Sequence, residues 1–210
     1  MKHLEEPFGL RSLSLKKLYV ILAFAAIFSI ASCSNNNDDD HVVQPTTYPV
    51  ENPLSKYHET AGFTTTTNFI NSGDYEFGLA FSPDVKGKIT AITIKLPDTN
   101  PNLRVTIWDY TTKTVLRTET LNVTATNTLI TKEISELALE KDKKYLITMN
   151  SNDWYKRAKA DNSNATYPIT AGNIKMLEYR WGSGTTQTFP VNISLNYNGG
   201  DLSFNFQQMD

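Results

Sequence analysis

Side-chain catalysis needs nucleophiles, bases or metal ligands, and this chain is short of them where a fold could position them. Its three histidines are His3, His41 and His58, and its single cysteine is Cys33. From Phe63 to Asp210 there is neither His nor Cys. That excludes Ser-His-Asp and Cys-His nucleophilic sites from this segment, and typical zinc sites with them. No G-x-x-x-x-G-K-[ST] phosphate loop occurs. Carboxylates are available, among them Asp74, Glu76, Asp98, Glu119, Glu133, Asp153, Glu178 and Asp201. A glycosidase needs two of them about 5–9.5 Å apart across a cleft. Order along the chain does not supply that distance, and these acids read as solvated strand and turn residues. The expectation is a protein that is not an enzyme and carries no cofactor. Asp98-Thr99-Asn100 or Asp161-Asn162 could offer loop oxygens to a Ca²⁺ ion, but no ligand series is present and no metal is assigned.

Aromatic residues are the better lead. Sugar rings present apolar C–H faces that stack on exposed Trp or Tyr rings. Residues 150–164, NSNDWYKRAKADNSN, set Trp154 and Tyr155 in an otherwise polar stretch, with Asn152, Asp153 and Arg157 adjacent. Residues 177–184, LEYRWGSG, place Tyr179, Arg180 and Trp181 before a glycine-containing turn. Trp154, Tyr155 and Trp181 are the candidate stacking platform, and Tyr179, Arg180, Asn152 and Asp153 are candidate partners of sugar hydroxyls. The competing reading is that these rings cap the ends of the fold. For Trp108, within a strand pattern, packing is the expected role.

The elements that must hold these residues have a period of two. Tyr75, Phe77, Leu79 and Phe81 alternate, as do Ile92, Ile94 and Leu96, and Leu103, Val105 and Ile107. Further runs rich in Thr, Val, Ile and aromatics cover 115–123, 129–134, 145–149, 174–181, 189–195 and 202–206. Pro, Gly, Asn and Asp clusters punctuate them. About nine short strands of this kind predict an all-β, antiparallel sandwich. No segment reads as a long amphipathic helix.

Residues 18–32, LYVILAFAAIFSIAS, carry no charge. As a helix they would span about 22 Å, short of a bilayer core of about 30 Å. With Lys16 and Lys17 before them they fit a signal-peptide core. The run ends Ile30-Ala31-Ser32-Cys33, which resembles a bacterial lipobox. That resemblance implies cleavage before Cys33, alkylation of its thiol by diacylglycerol and acylation of the new amine, and so a membrane partner through the lipid. A lone cysteine has no disulfide partner within the chain. The preceding stretch is long for a signal and includes Glu5 and Glu6, so translation starting near Leu13 or Leu15 is one explanation. Ser34 and the run Asn35 to Asp40 follow. The acidic block is either a solvated spacer or, by its likeness to runs that direct lipoproteins outward, a signal for display at the surface of a Gram-negative outer membrane.

The expected organisation is a signal peptide over 1–32, a lipidated cysteine and disordered tether over 33–62, and a β-sandwich domain over 63–210. The tether assignment rests on Asn, Asp, Thr and three prolines between 34 and 60 with few large apolar residues. The whole chain has 20 basic and 22 acidic residues. Removing 1–32, with four basic and two acidic residues, leaves a net charge of −4, so nothing points to nucleic acid.

Four stretches resemble a β-sandwich domain of unknown function found in bacterial extracellular, glycan-associated proteins. YEFGLAFSPDVKGKITAITIKL (75–96) has an E-x-G-x-x-F core at Glu76, Gly78 and Phe81. LRVTIWDYTTKTVLRTETL (103–121) is similar to the family's next hairpin, with Asp109-Tyr110-Thr111-Thr112 where turn glycines are common. ISELALEKDKKYLITMN (134–150) and FPVNISLNYNGGDLSFNF (189–206) complete the order. The resemblance implies a jelly-roll-like accessory β-sandwich domain and brings no catalytic residues. The alternative it leaves open is a structural or adhesive subunit docking on another envelope protein, such as one in the outer membrane.

Overall fold

The computed structural model describes residues 46–210. The signal core, Cys33 and the acidic run fall outside the described residues. The described part belongs to one compact unit, Pro45–Asp210. None of its helices is long and apolar enough to cross a membrane.

The fold is all-β, and every strand pairing is antiparallel. In chain order the elements are β1 (Val50–Glu51), α1 (Leu54–Ala61), β2 (Thr65–Phe69), β3 (Tyr75–Pro83), β4 (Gly87–Lys95), β5 (Asn100–Asp109), β6 (Val115–Val123) and β7 (Ile130–Leu139). There follow β8 (Tyr145–Ser151), β9 (Trp154–Ala158), β10 (Ile169–Ala171), β11 (Ile174–Ser183), β12 (Asn192–Ser194), β13 (Tyr197–Gly199) and β14 (Asp201–Gln208). A four-stranded sheet has the order β1-β14-β4-β7. A seven-stranded sheet runs β10-β11-β3-β8-β5-β6, with β12 also on β11, and a three-stranded sheet runs β13-β9-β2.

Each of the nine expected runs overlaps a strand, the run 189–195 only at Asn192–Ser194. The strands beyond the expected nine are β1, β2, β9, β10 and β13, of two to five residues each. Such lengths are too short for a period of two to stand out, so only their partners reveal them.

The larger sheets bury their inner faces against each other. Phe77, Leu79 and Phe81 of β3 share one core with Ile89, Ile92 and Ile94 of β4 and with Leu202, Phe204 and Phe206 of β14. Phe81 meets Phe204 across the layers with ring centroids 4.5 Å apart. Aromatic and β-branched residues at alternate positions thus become the sandwich interior.

The E-x-G-x-x-F residues have structural roles. Phe81 is in the core, stacked on Tyr145 at 5.6 Å. A Cβ at Gly78 would collide with the Ile147 carbonyl of neighbouring β8, so only glycine lets the backbones approach. Glu76 is 3% exposed and pairs with Arg104 at 2.7 Å.

The expected disordered tether to residue 62 is corrected over its C-terminal part. Val50 and Glu51 pair with Gln207 and Phe206 of β14. After them α1 starts at Pro53, a residue whose fixed φ suits a helix start. It stops at Gly62, whose φ of 74° lets the Gly62 and Phe63 N–H groups bond back to the Glu59 and His58 carbonyls. Tyr57 and Ala61, one turn apart, are its buried residues. Tyr57 lies edge-on to Phe63 at 5.8 Å, and its hydroxyl is 2.6 Å from that of Tyr167. Leu54, Tyr57 and Ala61 in an eight-residue helix are too few for a period to stand out, and the surrounding prolines suggest a tether.

Candidate functional site

Two Trp-bearing segments far apart in sequence meet at one end of the molecule. In β9, Trp154 is paired with Phe69 of β2, and the two rings stack at 5.2 Å and 9°. Trp154 also contacts Tyr75 and Phe77 of β3, each at 5.4 Å between centroids. Tyr75 in turn contacts Trp181 of β11 edge-on at 6.1 Å. Trp181 and Tyr179 lie two residues apart on one strand and so share a face. Tyr197 of β13, 5.1 Å from Tyr179, closes the far side. These seven rings and Lys156 line an open cup of about 250 Å³. Phe77 and Tyr179 form its buried floor, whereas Phe69, Tyr75, Trp154, Trp181 and Tyr197 are only half-buried.

Burial, and then the nearby Tyr197, hold the Tyr179 phenol well above its ordinary pKa, so its hydroxyl stays neutral. The Trp181 indole N–H donates to Ser194 Oγ at 3.3 Å, which fixes the ring from β12. Lys156, two residues after Trp154 on the same face, sets its Nζ 4.7 Å from the Tyr197 ring centroid.

Of the sequence candidates, Trp154, Tyr179 and Trp181 come together in the cup. Tyr155, Arg180, Asn152 and Asp153 do not line it. Tyr155 is next to Trp154 on a strand, so it points the other way. It is 4% exposed, its hydroxyl donates to Asn127 Oδ1 with the Leu96 carbonyl 3.4 Å away, and Arg157 covers its ring at 5.4 Å. Arg180 points away from its two aromatic neighbours for the same reason. Its guanidinium donates to Glu178 at 2.5 Å, to the Tyr110 hydroxyl at 2.8 Å and to the Pro190 carbonyl at 3.2 Å. Asp153 is buried and accepts the Asn71 N–H at 2.7 Å, and the Asn152 amide donates to Asn71 Oδ1 at 3.1 Å. Both polar residues hold the connection from β2 to β3 rather than facing a ligand.

Phe69, Tyr75, Phe77, Lys156 and Tyr197 were not among the sequence candidates. Lys156 was within reach, because treating 154–158 as a strand places it on the Trp154 face. Tyr75 and Phe77 are legible as strand residues, but their place beside Trp154 depends on long-range pairing.

His58, in the stretch expected to be tether, supports the cup from behind. Its Nε2 lies 2.9 Å from the Asn198 amide nitrogen, which also donates to the Gly200 carbonyl at 2.9 Å. The Gly200 contact orients the amide, so His58 Nε2 accepts and the ring is neutral. Burial first, and the Arg157 charge as well, outweigh Asp201 and lower the His58 pKa from 6.5 to about 4.

The acids make a different pattern. Glu76, Glu119, Glu178 and Asp201 pair with Arg104, Lys132 and Arg117, Arg180, and Arg157 respectively. The Asp98 and Asp161 carboxylates accept backbone N–H groups of their own loops, from Thr99 at 2.7 Å and Ser163 at 3.0 Å. Among the described residues no group of three or more His, Cys, Asp or Glu is placed to hold a metal ion. Comparison with protein-family models and with curated proteins gives no match to this chain.

Proposed function

We propose that this is a non-catalytic, lipid-anchored protein of the bacterial cell envelope, displayed at the outer-membrane surface, that binds a glycan in the aromatic cup. One observation carries the reading. Trp154 and Trp181, distant in sequence, leave part of their rings open on either side of Tyr75 in one concavity. Sugar C–H faces suit such rings, and the cup lining of aromatic rings and one lysine, with no carboxylate, favours holding a ligand over cleaving it. Cys33 supplies the membrane attachment, since two or three acyl chains make anchoring effectively permanent.

Calorimetric titration of the full-length protein in detergent with a panel of oligosaccharides tests the cup. Trp154→Ala and Trp181→Ala are each expected to weaken binding about tenfold or more, as for aromatic anchors at other interfaces. Unchanged affinity in both variants would remove the cup from the function, and no binding to any glycan would remove the function. Mass spectrometry of the mature N-terminus and protease treatment of intact cells test the lipid and the surface location.

A second reading, docking on another envelope protein, has its own observation. Val191, Ile193 and Leu195 alternate along the β12 segment and are 69%, 47% and 38% exposed. The strand itself pairs only with β11. Co-purification of one stoichiometric partner, lost in Ile193→Asp, would favour it.

A further inference from the structure

We infer that the sugar held in the cup is acidic, a pyranose bearing a carboxylate at the ring edge. This rests on the glycan-binding reading above and narrows it. Among the residues lining the cup, Lys156 is the one that carries a charge. It lies in β9 at the centre of the three-stranded sheet, paired with Thr67 on one side and Gly199 on the other, so its backbone is fixed. Its ammonium group rests over the Tyr197 ring, and none of the ion pairs among the described residues includes it. The neighbouring Arg157, on the opposite face of the same strand, is tied to Asp201.

A half-buried cation against an aromatic wall, with no carboxylate partner, sets the sign of the ligand. It disfavours a quaternary ammonium or other cationic guest, which aromatic cups otherwise suit. A neutral sugar gains one ordinary hydrogen bond from it. An anionic ring gains a charge-assisted bond, stronger and shorter, in a site partly screened from water. The geometry adds a position. Residues two apart on a strand are about 6.6 Å apart, so a ring lying flat on Trp154 presents its edge substituents, not its face, to Lys156. An equatorial carboxylate leaves a pyranose ring from that edge.

The test is titration of the full-length protein in detergent with galacturonic acid tetramer, the neutral galactose tetramer and a sulfated galactose tetramer, at low and high salt. Wild type is expected to bind the uronate tetramer at least tenfold more tightly than the neutral one at low salt, with the gap narrowing at high salt. Lys156→Met keeps the apolar stem over Tyr197 and is expected to abolish the gap while leaving neutral binding in place. Its thermal unfolding, measured alongside, separates loss of charge from loss of fold. A sulfated tetramer that matches the uronate would mean that the cup selects negative charge in general, and one that binds like the neutral tetramer would mean that it selects carboxylate. Either supports an acidic ligand. Equal binding of all three tetramers, or a preference that survives Lys156→Met, overturns the inference and leaves the glycan reading standing. Failure of all three to bind counts against both.

Discussion

The two faces of the seven-stranded sheet meet their surroundings in opposite ways. On the inner face, at the end where β3 and β11 meet the small sheet, Phe77, Tyr179 and Trp181 leave a space that side chains do not fill. On the outer face the same strands carry a polar network beside a second concavity of about 290 Å³, lined by Glu76, Gly182, Thr186 and Phe189 among others. Glu76 accepts from Arg104 at 2.7 Å and from Thr148 at 2.5 Å, and Thr148 accepts the Trp108 indole N–H at 2.9 Å. Gln187 reaches over to Thr106 at 3.0 Å and Thr118 at 2.7 Å, and Phe189 packs edge-on against Trp108 at 5.8 Å. Burying charge and amide groups is tolerable only when they find partners, and on this face all but the Arg104 Nε do. Polar clusters are the usual place to look for function, yet here the polar cluster is satisfied internally except at the Arg104 Nε. The cup differs in being walled almost wholly by aromatic rings.

The sharpest way to break the comparison is to disturb the outer face at Gly78, where the neighbouring backbone leaves no room for a side chain. Gly78→Ala drives a methyl group into the Ile147 carbonyl. It is expected to cost at least about 3 kcal/mol, since relief requires β3 and β8 to separate. Urea unfolding measures it, and a near-wild-type midpoint would contradict the close approach. Glu76→Ala should cost about 3 kcal/mol. That is the low end of the range for stranding one member of a buried pair, because Arg104 is 26% exposed and partly rehydrates. The soluble fraction should bind glycan as wild type does, since the lost contacts are all on the outer face.

Acid probes the support behind the cup. His58 has a folded pKa of about 4 against 6.5 when free. Its neutral form is favoured by the fold, so the unfolded chain takes up the proton first. Stability is therefore fully present above about pH 6.5, falls as pH drops towards 4, and levels off below. At about 1.4 kcal/mol per pKa unit, lessened by partial exposure, the expected loss is about 2 kcal/mol. His58→Gln should flatten that part of the stability–pH curve. An unchanged curve would mean that His58 titrates normally. The smallest expected effect is that of Tyr155→Phe, about 1 kcal/mol for one lost hydrogen bond. Glycan affinity should be unchanged, because the Tyr155 ring faces away from the cup. A binding defect with intact stability would reverse the placement of residues 154 and 155 and with it the choice of cup wall.

The sequence alone determined the all-β character, nine of the strands and the absence of His and Cys after residue 62. These are local properties, carried by alternation, turn residues and composition. It also placed both functional Trp candidates in their segments. Which neighbour of each Trp shares its face was fixed only by the tertiary structure. Trp154 and Tyr155, or Tyr179 and Arg180, look like clusters in a polar stretch. Once the stretch is a strand, adjacent side chains diverge, and Lys156 replaces Tyr155 beside Trp154. The cup needs β9 to pair with β2 and β13, and β11 with β3. Those registers join residues up to about a hundred positions apart, and such pairings leave no trace in any one segment. The short helix Leu54–Ala61 was hidden for a related reason: its stability comes from the surface that buries Tyr57, not from its own eight residues.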